Sequence, residues 1–313
     1  MRVIVHGGAG GLPDEPEPRR AVLDEAAETG AAAATPLDAV EAAVRILETS
    51  PRFNAGVGGA VQSDGVVRTD AGVMTDDRRI GAACSMPGVE HAVSVARVVM
   101  GETPHVFVSG EHAVDLADAF GIETDVELLT AEKRERYEAE DPPNAGVRAH
   151  LDWLETRFGT GDDEAGERSV DHGDGAADEA GGRSEREAPD HDTVGAVAGD
   201  GETFAAATST GGRSFALAGR VGDVPQVGSG FVCTEAGGAS ATGAGEDIAR
   251  VTLSERAVSY LADGLDAGAA AERAMSDFED LTGSGAGVIV LDGEGAGSAF
   301  NTDAMQTSVA VEE

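Results

Sequence analysis

Residues 191–200 read His191-Asp192-Thr193-Val194-Gly195-Ala196-Val197-Ala198-Gly199-Asp200. An acidic, glycine-rich segment ends directly before this stretch, and a run of small apolar residues that opens with a threonine begins within it. Threonine and valine are good strand formers, so we expect strands over 193–199 and 203–208, joined by a turn at 199–202. A hairpin of small residues therefore opens the second part of the chain.

The composition indicates a core built from small side chains. Of the 313 residues, 41% are hydrophobic, mostly alanine and valine, and 4% are aromatic, which allows one large domain or two small ones. The formal net charge is −36, and Lys133 is the only lysine. This charge repels nucleic acid and anionic membranes, so we expect neither as a partner. Such an excess of carboxylates suits a protein adapted to high salt, which screens their repulsion.

Further features narrow the class of protein. Cys84 and Cys233 lie in apolar surroundings away from any CxxC or Cys/His cluster, which predicts buried free thiols. We see no secretory h-region and no apolar run long enough to span a bilayer, so we expect a cytoplasmic protein. The glycines at 7–11 follow a strand but form no GxGxxG, and no Walker lysine exists, so we expect no nucleotide cofactor.

Hydrophobic periodicity predicts helices and strands in both halves of the chain. We expect helices at 19–34, 36–49, 89–100, 111–120, 131–158 with a break at 142–144, 246–261 and 267–281. Thr35 is the expected N-cap of the second helix, with Pro36 at its first position. We expect further strands at 2–6, 66–69, 72–74, 82–85, 105–109, 230–234, 239–242, 287–291, 298–301 and 306–311. Strand runs beside helix pairs predict an α+β fold, an αββα sandwich in which helices cover the sheets.

Residues 159–190 differ in composition from the rest of the chain. Eleven acidic residues accompany three arginines, and almost no hydrophobic residue other than alanine occurs. Such a segment buries too little apolar surface to offset its ordering entropy, so we expect a disordered linker. An inter-domain linker is the ordinary interpretation, but this segment stops directly against the strand at Thr193. We therefore expect one domain divided into residues 1–192 and 193–313 by a cut between Asp192 and Thr193.

A threonine in front of Val194 is usually only a strand residue, but at a chain terminus it acquires different chemistry. A free α-amine has a pKa near about 7.7–8.0, so near neutral pH part of it can take a proton from the hydroxyl of the same residue. Nucleophile and base then belong to one residue, the N-terminal-threonine variant of hydroxyl catalysis. A cut before Thr193 would therefore create an amide-cleaving group.

Polar residues in glycine-rich turns could assist such a nucleophile. Thr242 and Gly243 offer a hydroxyl and an unobstructed backbone N–H to an oxyanion, although a plain hairpin turn is the alternative. Arg220 and Asp223, three residues apart around a glycine, are either a clamp for a carboxylate and an ammonium group or a surface salt bridge. Thr210 ends a strand and could lend a second hydroxyl to the nucleophile.

Several motifs occur in order along the chain: His6-Gly7-Gly8-Ala9-Gly10, Phe53-Asn54-Ala55-Gly56, Thr193-Val194-Gly195-Ala196-Val197, Thr208-Ser209-Thr210-Gly211-Gly212, Gly219-Arg220-Val221-Gly222-Asp223 and Thr242-Gly243. Together they resemble the plant-type L-asparaginase and isoaspartyl aminopeptidase family of N-terminal-nucleophile hydrolases. The resemblance covers nearly the whole chain apart from the linker. It implies the four-layer αββα sandwich of the N-terminal-nucleophile hydrolases.

The resemblance also implies an activity and site roles. The precursor would cut itself between Asp192 and Thr193, and Thr193 would attack the side-chain amide of L-asparagine or the isopeptide carbonyl of a β-aspartyl peptide, through an acyl-enzyme. By the same resemblance, Thr210 would assist the nucleophile, and Thr242 and Gly243 would bind the oxyanion. Arg220 would bind the α-carboxylate of the substrate, and Asp223 with Gly245 would bind its α-amine. Asn54 would contact the nucleophile region.

The expected partners are a small amide or dipeptide substrate and a second copy, in a homodimer of processed two-chain units. We expect no organic cofactor. The family suggests a structural sodium ion on main-chain carbonyls, with the ligands Leu47, Glu48, Ser50, Phe53, Ala55 and Val57. Carbonyl oxygens suit a hard cation, but backbone ligands leave little trace in the side chains, so a loop without metal is the alternative.

Two functional alternatives stay open. His191-Asp192-Thr193 resembles the glycosylasparaginase branch, whereas many asparaginase-like members have glycine before the threonine, so glycosylated asparagine is a second candidate substrate. A non-enzymatic alternative is an unprocessed scaffold that binds amino acids through Arg220 and Asp223.

Overall fold

The computed structural model describes residues 1–158 and 193–312. The helices of this part are α1 (Pro16–Ala31), α2 (Pro36–Thr49), α3 (Ala92–Glu102), α4 (Glu111–Ala119), α5 (Ala131–Ala139), α6 (Val147–Phe158), α7 (Gly245–Val251), α8 (Leu253–Ala262) and α9 (Ala267–Thr282). The strands are β1 (Arg2–Gly10), β2 (Arg68–Thr75), β3 (Ile80–Pro87), β4 (Phe107–Ser109), β5 (Val194–Gly199), β6 (Phe204–Thr210), β7 (Phe231–Thr234), β8 (Gly237–Gly243), β9 (Ala286–Leu291), β10 (Ala296–Phe300) and β11 (Ala304–Val311). The predicted linker at 159–190 and Asp192 lie outside the described residues.

The strands form two sheets, so the fold is mixed α and β. One sheet has seven strands in the order β11-β1-β5-β6-β2-β3-β4, and the other has four in the order β10-β9-β8-β7. Neighbouring strands are antiparallel, except that β4 runs parallel to β3. Strand β5, which Thr193 precedes, lies inside the larger sheet between β1 and β6. Gly195 on this strand is paired with His6 on one side and with Thr208 on the other.

Both faces of β5 are buried, which explains its unbroken run of small apolar residues. Val194 and Ala196 belong to a hydrophobic cluster that includes helices α1, α2 and α3. Val197, on the opposite face, belongs to a second cluster that includes the four-stranded sheet and helices α8 and α9. A strand covered on both faces loses the usual alternation of apolar and polar residues. Thr193 therefore begins a strand that is held from both sides.

Helix α2 begins where its sequence predicts. The side chain of Thr35 accepts the backbone N–H of Asp38 at 3.2 Å, and Pro36 occupies the first helical position. Val40 and Leu47 lie on the buried face of this helix, as the predicted periodicity requires. The helix leads directly into the glycine-rich loop at 50–59.

The predicted helix over 246–261 is divided in the structure. Helix α7 ends at Val251 and α8 begins at Leu253, because Thr252 between them has a left-handed backbone with a φ of 54°. Threonine is disfavoured in this conformation, so local sequence preference does not predict the break. The tertiary structure decides it.

Two predicted strand boundaries are also wrong. The predicted strand at 72–74 and the last two residues of the predicted strand at 66–69 belong to one strand, β2. The opening strand continues through its glycines to Gly10, with a register shift between His6 and Ala9 against β11. Gly8, inside this irregular part, has a φ of 104°, which only glycine adopts without strain. Glycines that suggested a turn therefore form a bulge within a strand.

Two further expectations concern the cysteines and the membrane. Cys84 and Cys233 are buried free thiols, as predicted. In the part of the chain that the structure describes, no helix is both long and apolar enough to cross a bilayer.

Candidate active site

Thr193 lies immediately before β5 and is only 8% exposed. Its hydroxyl donates a hydrogen bond to the hydroxyl of Thr210, and the two Oγ1 atoms are 3.2 Å apart. The residues meet because β5 and β6 are paired, with Val194 opposite Ser209. The structure therefore brings together the two threonines that the sequence analysis assigns to the nucleophile and its assistant.

The hydroxyl of Thr210 is the centre of a small hydrogen-bond network. Besides the Thr193 hydroxyl it accepts the backbone N–H of Gly212 at 3.1 Å, and it donates to the main-chain carbonyl of Asn54 at 3.3 Å. A buried hydroxyl with these partners is held in one orientation. Thr210 is thus fixed beside Thr193 by backbone groups from two segments.

Asn54 ties the loop before β2 to the end of β6. Its side-chain amide donates to the carbonyl of Gly212 at 2.6 Å and accepts the N–H of Ala60 at 2.7 Å. Its main-chain carbonyl also accepts the N–H of Gly211 at 2.7 Å. Asn54 is therefore linked to Thr193 through Thr210.

Arg220 is held by a partner that the sequence analysis missed. Its guanidinium group makes two hydrogen bonds with Glu246, from Nε to Oε1 at 2.9 Å and from Nη2 to Oε2 at 2.8 Å. Burial opposes ionisation of Glu246, but the hydrogen bonds and charge of Arg220 outweigh it and lower the pKa of Glu246 to about 2. Glu246 is therefore ionised near neutral pH and orients the guanidinium group.

Asp223 is a buried carboxylate that lacks a full set of hydrogen bonds. It is 5% exposed, and its Oδ2 atom has no hydrogen-bond partner among the described residues. Burial raises the pKa of Asp223 to about 7, although the nearby charge of Arg220 lowers it. Since an unpaired buried oxygen is costly, this carboxylate is suited to a cationic ligand.

A second buried carboxylate, Asp70, lies beside the site on β2. It is paired across the sheet with Thr210 and accepts the backbone N–H of Ser85 at 2.7 Å. Burial raises the pKa of Asp70 to about 7, while the Ser85 hydrogen bond and the charge of Arg220 act in the opposite direction. Asp70 was not among the predicted site residues, because an aspartate within a strand gives no sequence signal until strand pairing places it beside the site.

Two glycines near these residues leave no space for a side chain. Gly243, at the end of β8, has a φ of 136°, and a Cβ atom there would lie 2.5 Å from Cα of Ala286. A Cβ atom on Gly245 would lie 2.6 Å from Oδ1 of Asp223 and 2.8 Å from Nη2 of Arg220. Any other residue at these positions would have to displace backbone atoms or the side chains of Asp223 and Arg220.

These residues surround a small cavity of about 20 Å³, which has room for about one water-sized group. Its lining includes Thr193, Thr210, Arg220, Asp223, Gly243, Gly245 and, outside the predicted set, Arg213. Thr242 precedes Gly243 and is fully buried, and neither Thr242 nor Asn54 lines the cavity. Most of the predicted site residues thus converge, although they come from separate loops and strands.

His6 lies beneath the site on β1 and is fully buried. Its Nε2 atom is 2.9 Å from Oγ of Ser240. Burial lowers the pKa of His6 to about 3, although the backbone of Thr193 raises it. The imidazole is therefore neutral near pH 7 and packs as a hydrogen-bonding residue.

The sodium ion is predicted to bind the main-chain carbonyl oxygens of the loop at 47–57. Among residues 1–158 and 193–312, no group of three or more His, Cys, Asp and Glu side chains could hold a metal ion. The carbonyl of Glu48 accepts the N–H of Val57 at 2.9 Å, and that of Ser50 accepts the N–H of Phe53 at 3.3 Å. A carbonyl oxygen has a second lone pair, so these residues fit a hard monovalent cation. The ligand set stays a prediction.

The fold and the site define a class of protein. It is a mixed α and β protein in which the buried hydroxyl groups of Thr193 and Thr210 lie beside an arginine and an aspartate. A sequence model of the family described as Asparaginase matches residues 1–313, and the chain belongs to this family. The family predicted from the spaced motifs is thereby confirmed.

Three curated relatives illustrate this similarity. The plant-type L-asparaginase of Pyrococcus furiosus is 37% identical, over 97% of this chain and 94% of the relative. The isoaspartyl peptidase/L-asparaginase of Danio rerio is 33% identical, over 95% and 87% of the two chains. The isoaspartyl peptidase of Salmonella typhimurium is 35% identical, over 97% and 93%.

Proposed function

We propose that this protein is a self-processing amidohydrolase that converts L-asparagine to L-aspartate and ammonia, cleaves β-aspartyl peptides, or does both. The observation that carries this proposal is the hydrogen bond between Thr193 and Thr210 in a cleft shared with Arg220 and Asp223. The names of the relatives support the substrates, since they include plant-type L-asparaginases and an isoaspartyl peptidase.

Processing precedes catalysis in this proposal. The Thr193 hydroxyl attacks the carbonyl carbon of Asp192, and the peptide C–N bond breaks as the nitrogen of Thr193 takes up the hydroxyl proton. Water then hydrolyses the new ester and leaves a carboxyl terminus at Asp192. Both the amine and the hydroxyl of Thr193 are then free, and the hydrogen bond to Thr210 supports the orientation of that hydroxyl.

The freed amine serves as the base for substrate hydrolysis. It takes the hydroxyl proton as Oγ1 of Thr193 bonds to the amide carbon, and it passes that proton to the leaving nitrogen when the C–N bond breaks. Ammonia or an amine leaves, and an acyl-enzyme ester is formed. Water attacks this ester in turn and releases aspartate together with the regenerated Thr193.

Charge complementarity supports the assignment of the substrate groups. Arg220, oriented by Glu246, is the binding group for the α-carboxylate. Asp223, with its unpaired Oδ2 atom, binds the α-ammonium group next to the space left by Gly245. Thr242 and Gly243 are assigned to the oxyanion, where one donor is typically worth about 10²–10³ in rate. Asn54 acts on the nucleophile region through Thr210.

The proposal includes a four-layer αββα sandwich of the N-terminal-nucleophile hydrolase type. Helices α1–α3 share one hydrophobic cluster with the larger sheet, and α8 and α9 share the other with the smaller sheet, which supports this arrangement. We further propose a single domain cut into residues 1–192 and 193–313, a homodimer of processed units, a cytoplasmic location and a sodium ion on the loop at 47–57.

Sequencing of the mature N-terminus and measurement of ammonia release test the proposal. The wild-type protein should give two bands on a denaturing gel, with Thr193 as the new N-terminus, and should release ammonia from L-asparagine. The Thr193→Ala variant should stay as one intact chain without turnover. A single wild-type band after long incubation in high salt, with no ammonia released, contradicts the proposal.

Two further measurements separate the alternatives. A glycosylasparaginase, which the stretch His191-Asp192-Thr193 favours, would cleave glycosylated asparagine faster than L-asparagine or a β-aspartyl dipeptide. An unprocessed amino-acid-binding scaffold would show no turnover in the wild type and full ligand affinity in Thr193→Ala. Side-by-side rates on the three substrates and one binding titration therefore decide among the candidates.

A further inference from the structure

A second arginine lies at the edge of the catalytic cavity. Arg213 follows the two glycines after β6 and lines the cavity together with Thr193 and Arg220. Its side chain is 36% exposed, whereas that of Arg220 is 16% exposed. Arg220 therefore belongs to the inner part of the cleft, and Arg213 belongs to its outer rim.

One carboxylate connects the two arginines. Glu246 accepts both hydrogen bonds from Arg220, and its Oε2 atom is 3.9 Å from Nη1 of Arg213. The longer distance is that of an ion pair and exceeds hydrogen-bond range. The Glu246 carboxylate thus lies between two guanidinium groups, which stabilise its negative charge. The rest of the chain, with a net charge of −36, repels anions.

The candidate substrates differ in the number of their carboxylates. L-Asparagine and glycosylated asparagine carry one, the α-carboxylate assigned to Arg220. A β-aspartyl dipeptide with a free C-terminus carries another, on the amine that leaves. That amine has to point away from Thr193 towards solvent, and the more exposed Arg213 lies at the solvent side of the cavity. A guanidinium group there matches the extra carboxylate in charge and shape.

We infer that Arg213 binds the C-terminal carboxylate of a β-aspartyl dipeptide, and that it thereby favours free-acid dipeptides over substrates that lack this group. The inference rests on the proposed function and names the preferred substrate class of the same site. Arg220 binds the α-carboxylate in the inner cleft, and Arg213 binds the carboxylate of the leaving group at the rim. Loss of a hydrogen bond to a charged group lowers affinity by about tenfold or more, so substrates without the C-terminal carboxylate should be disfavoured by that factor.

The test compares kcat/KM for a β-aspartyl dipeptide, the same dipeptide amidated at its C-terminus, and L-asparagine, at one pH and one salt concentration. The wild type should prefer the free acid over the amide by about tenfold or more. Arg213→Met should bring this ratio close to one, and Arg213→Lys should give an intermediate ratio. The control Arg250→Met removes the same charge from an exposed arginine that pairs with Asp247 on α7, and it should keep the wild-type ratio.

Each contrary outcome has a distinct meaning. A wild-type ratio near one, with L-asparagine still hydrolysed, overturns the inference and leaves the proposed function intact. An equal loss on all three substrates in Arg213→Met, with the ratio unchanged, shows that Arg213 acts through Glu246 and also overturns the inference. A wild-type protein that turns over none of the three substrates overturns both the inference and the proposed function.

Discussion

The hydroxyl groups of Thr193 and Thr210 lie 3.2 Å apart at the ends of two adjacent strands. Because Thr210 also bonds to the backbone of Gly212 and Asn54, this contact couples the proposed nucleophile to two separate segments. Such coupling means that one buried hydroxyl controls the orientation of Thr193.

Replacement of Thr210 by valine should slow both self-cleavage and turnover. Valine has nearly the same shape but leaves the Thr193 hydroxyl and the Gly212 N–H without their acceptor, which should lower kcat by about 10- to 100-fold and stability by about 1–3 kcal/mol. Steady-state ammonia release and thermal unfolding measure the two effects. Thr210→Ser, which keeps the hydroxyl, should restore most of the activity.

A matched control separates catalysis from folding. Thr208 lies two residues earlier on β6 and donates to the carbonyl of Gly230 at 2.8 Å, away from the cavity lining. Thr208→Val should therefore lower stability by a similar amount and keep the wild-type kcat. If both variants lost kcat equally, the Thr210 hydroxyl would have only a structural role.

Gly245→Ala should weaken substrate binding without unfolding the protein. The new methyl group would lie 2.6 Å from Asp223 and 2.8 Å from Arg220, so it would push apart the two groups assigned to the substrate. We expect KM for L-asparagine to rise by about tenfold or more. The control is Gly101→Ala in α3, where, apart from neighbouring residues of the same helix, no atom of the described residues lies within 4 Å of the added Cβ. A gain of about 0.5–1 kcal/mol in stability is expected there. An unchanged KM in Gly245→Ala would contradict the assignment.

Glu246→Gln should raise KM for L-asparagine about tenfold with little change in kcat. The substitution removes the charge that holds Arg220 through two hydrogen bonds, so the guanidinium group loses its fixed orientation before substrate arrives. Glu272→Gln on α9, which is exposed, serves as the charge-matched control. A fall in KM would show instead that Glu246 competes with the substrate carboxylate for Arg220.

Activity should depend on the ionisation of Asp223. Burial raises the pKa of this carboxyl to about 7, so on acidification it becomes neutral and can no longer pair with the substrate ammonium group. We expect kcat/KM for L-asparagine to fall about tenfold per pH unit below that value, in addition to the fall that protonation of the Thr193 amine causes. In the enzyme–substrate complex the substrate ammonium group favours the ionised form of Asp223. The fall in kcat that Asp223 causes should therefore occur at lower pH than the fall in kcat/KM. Coincident kcat and kcat/KM profiles would argue against this pairing.

The same carboxyl should make stability depend on pH. Its pKa is higher in the folded protein than in the unfolded chain, so its contribution is fully present below about pH 4 and is lost as pH rises to about 7. The free energy of unfolding falls by about 1.4 kcal/mol for each unit by which the folded pKa exceeds the unfolded pKa. Asp223→Asn removes this pH-dependent loss of stability. The variant should therefore become more stable than the wild type between these pH values, as chemical denaturation at several pH values would reveal. Asp70 shifts in the same direction and is present in both proteins.

Salt should stabilise the protein by two separable mechanisms. A net charge of −36 creates repulsion that 1 M salt screens beyond about 3 Å, so the unfolding temperature should rise equally in NaCl and KCl of the same ionic strength. A sodium ion on the loop at 47–57 would add a further rise in NaCl alone, which saturates with concentration. Identical curves for the two salts would contradict the sodium site, and flat curves would contradict salt adaptation.

Local signals in the sequence predicted many elements close to their observed places. The predicted strands at 193–199 and 203–208 correspond to β5 and β6, and Thr35 caps α2 as expected. These signals are short-range: strand-forming residues, a helix cap and an apolar face at helical spacing. The division at Thr252 and the bulge at Gly8 escaped prediction, because packing with distant segments imposes these conformations.

The motifs around Thr193, Thr210, Arg220 and Asp223 named most of the residues that line the cavity. Glu246, Arg213 and Asp70 were absent from that set. Each is a charged residue without a recognisable motif around it. Its place in the site depends on contacts between residues far apart in the chain, such as Arg220 and Glu246, which are 26 residues apart.

The sequence by itself determined the small-residue strands, the helix caps and the ordered motifs, because these depend on neighbours along the chain. Only the tertiary structure decided which side chains meet. Asn54 bonds to Gly212, 158 residues away, and Thr193 reaches Thr210 only because β5 and β6 are paired in one register. The physical reason is that strand pairing and burial join distant segments, and these contacts set the distances, charges and pKa values of the cleft.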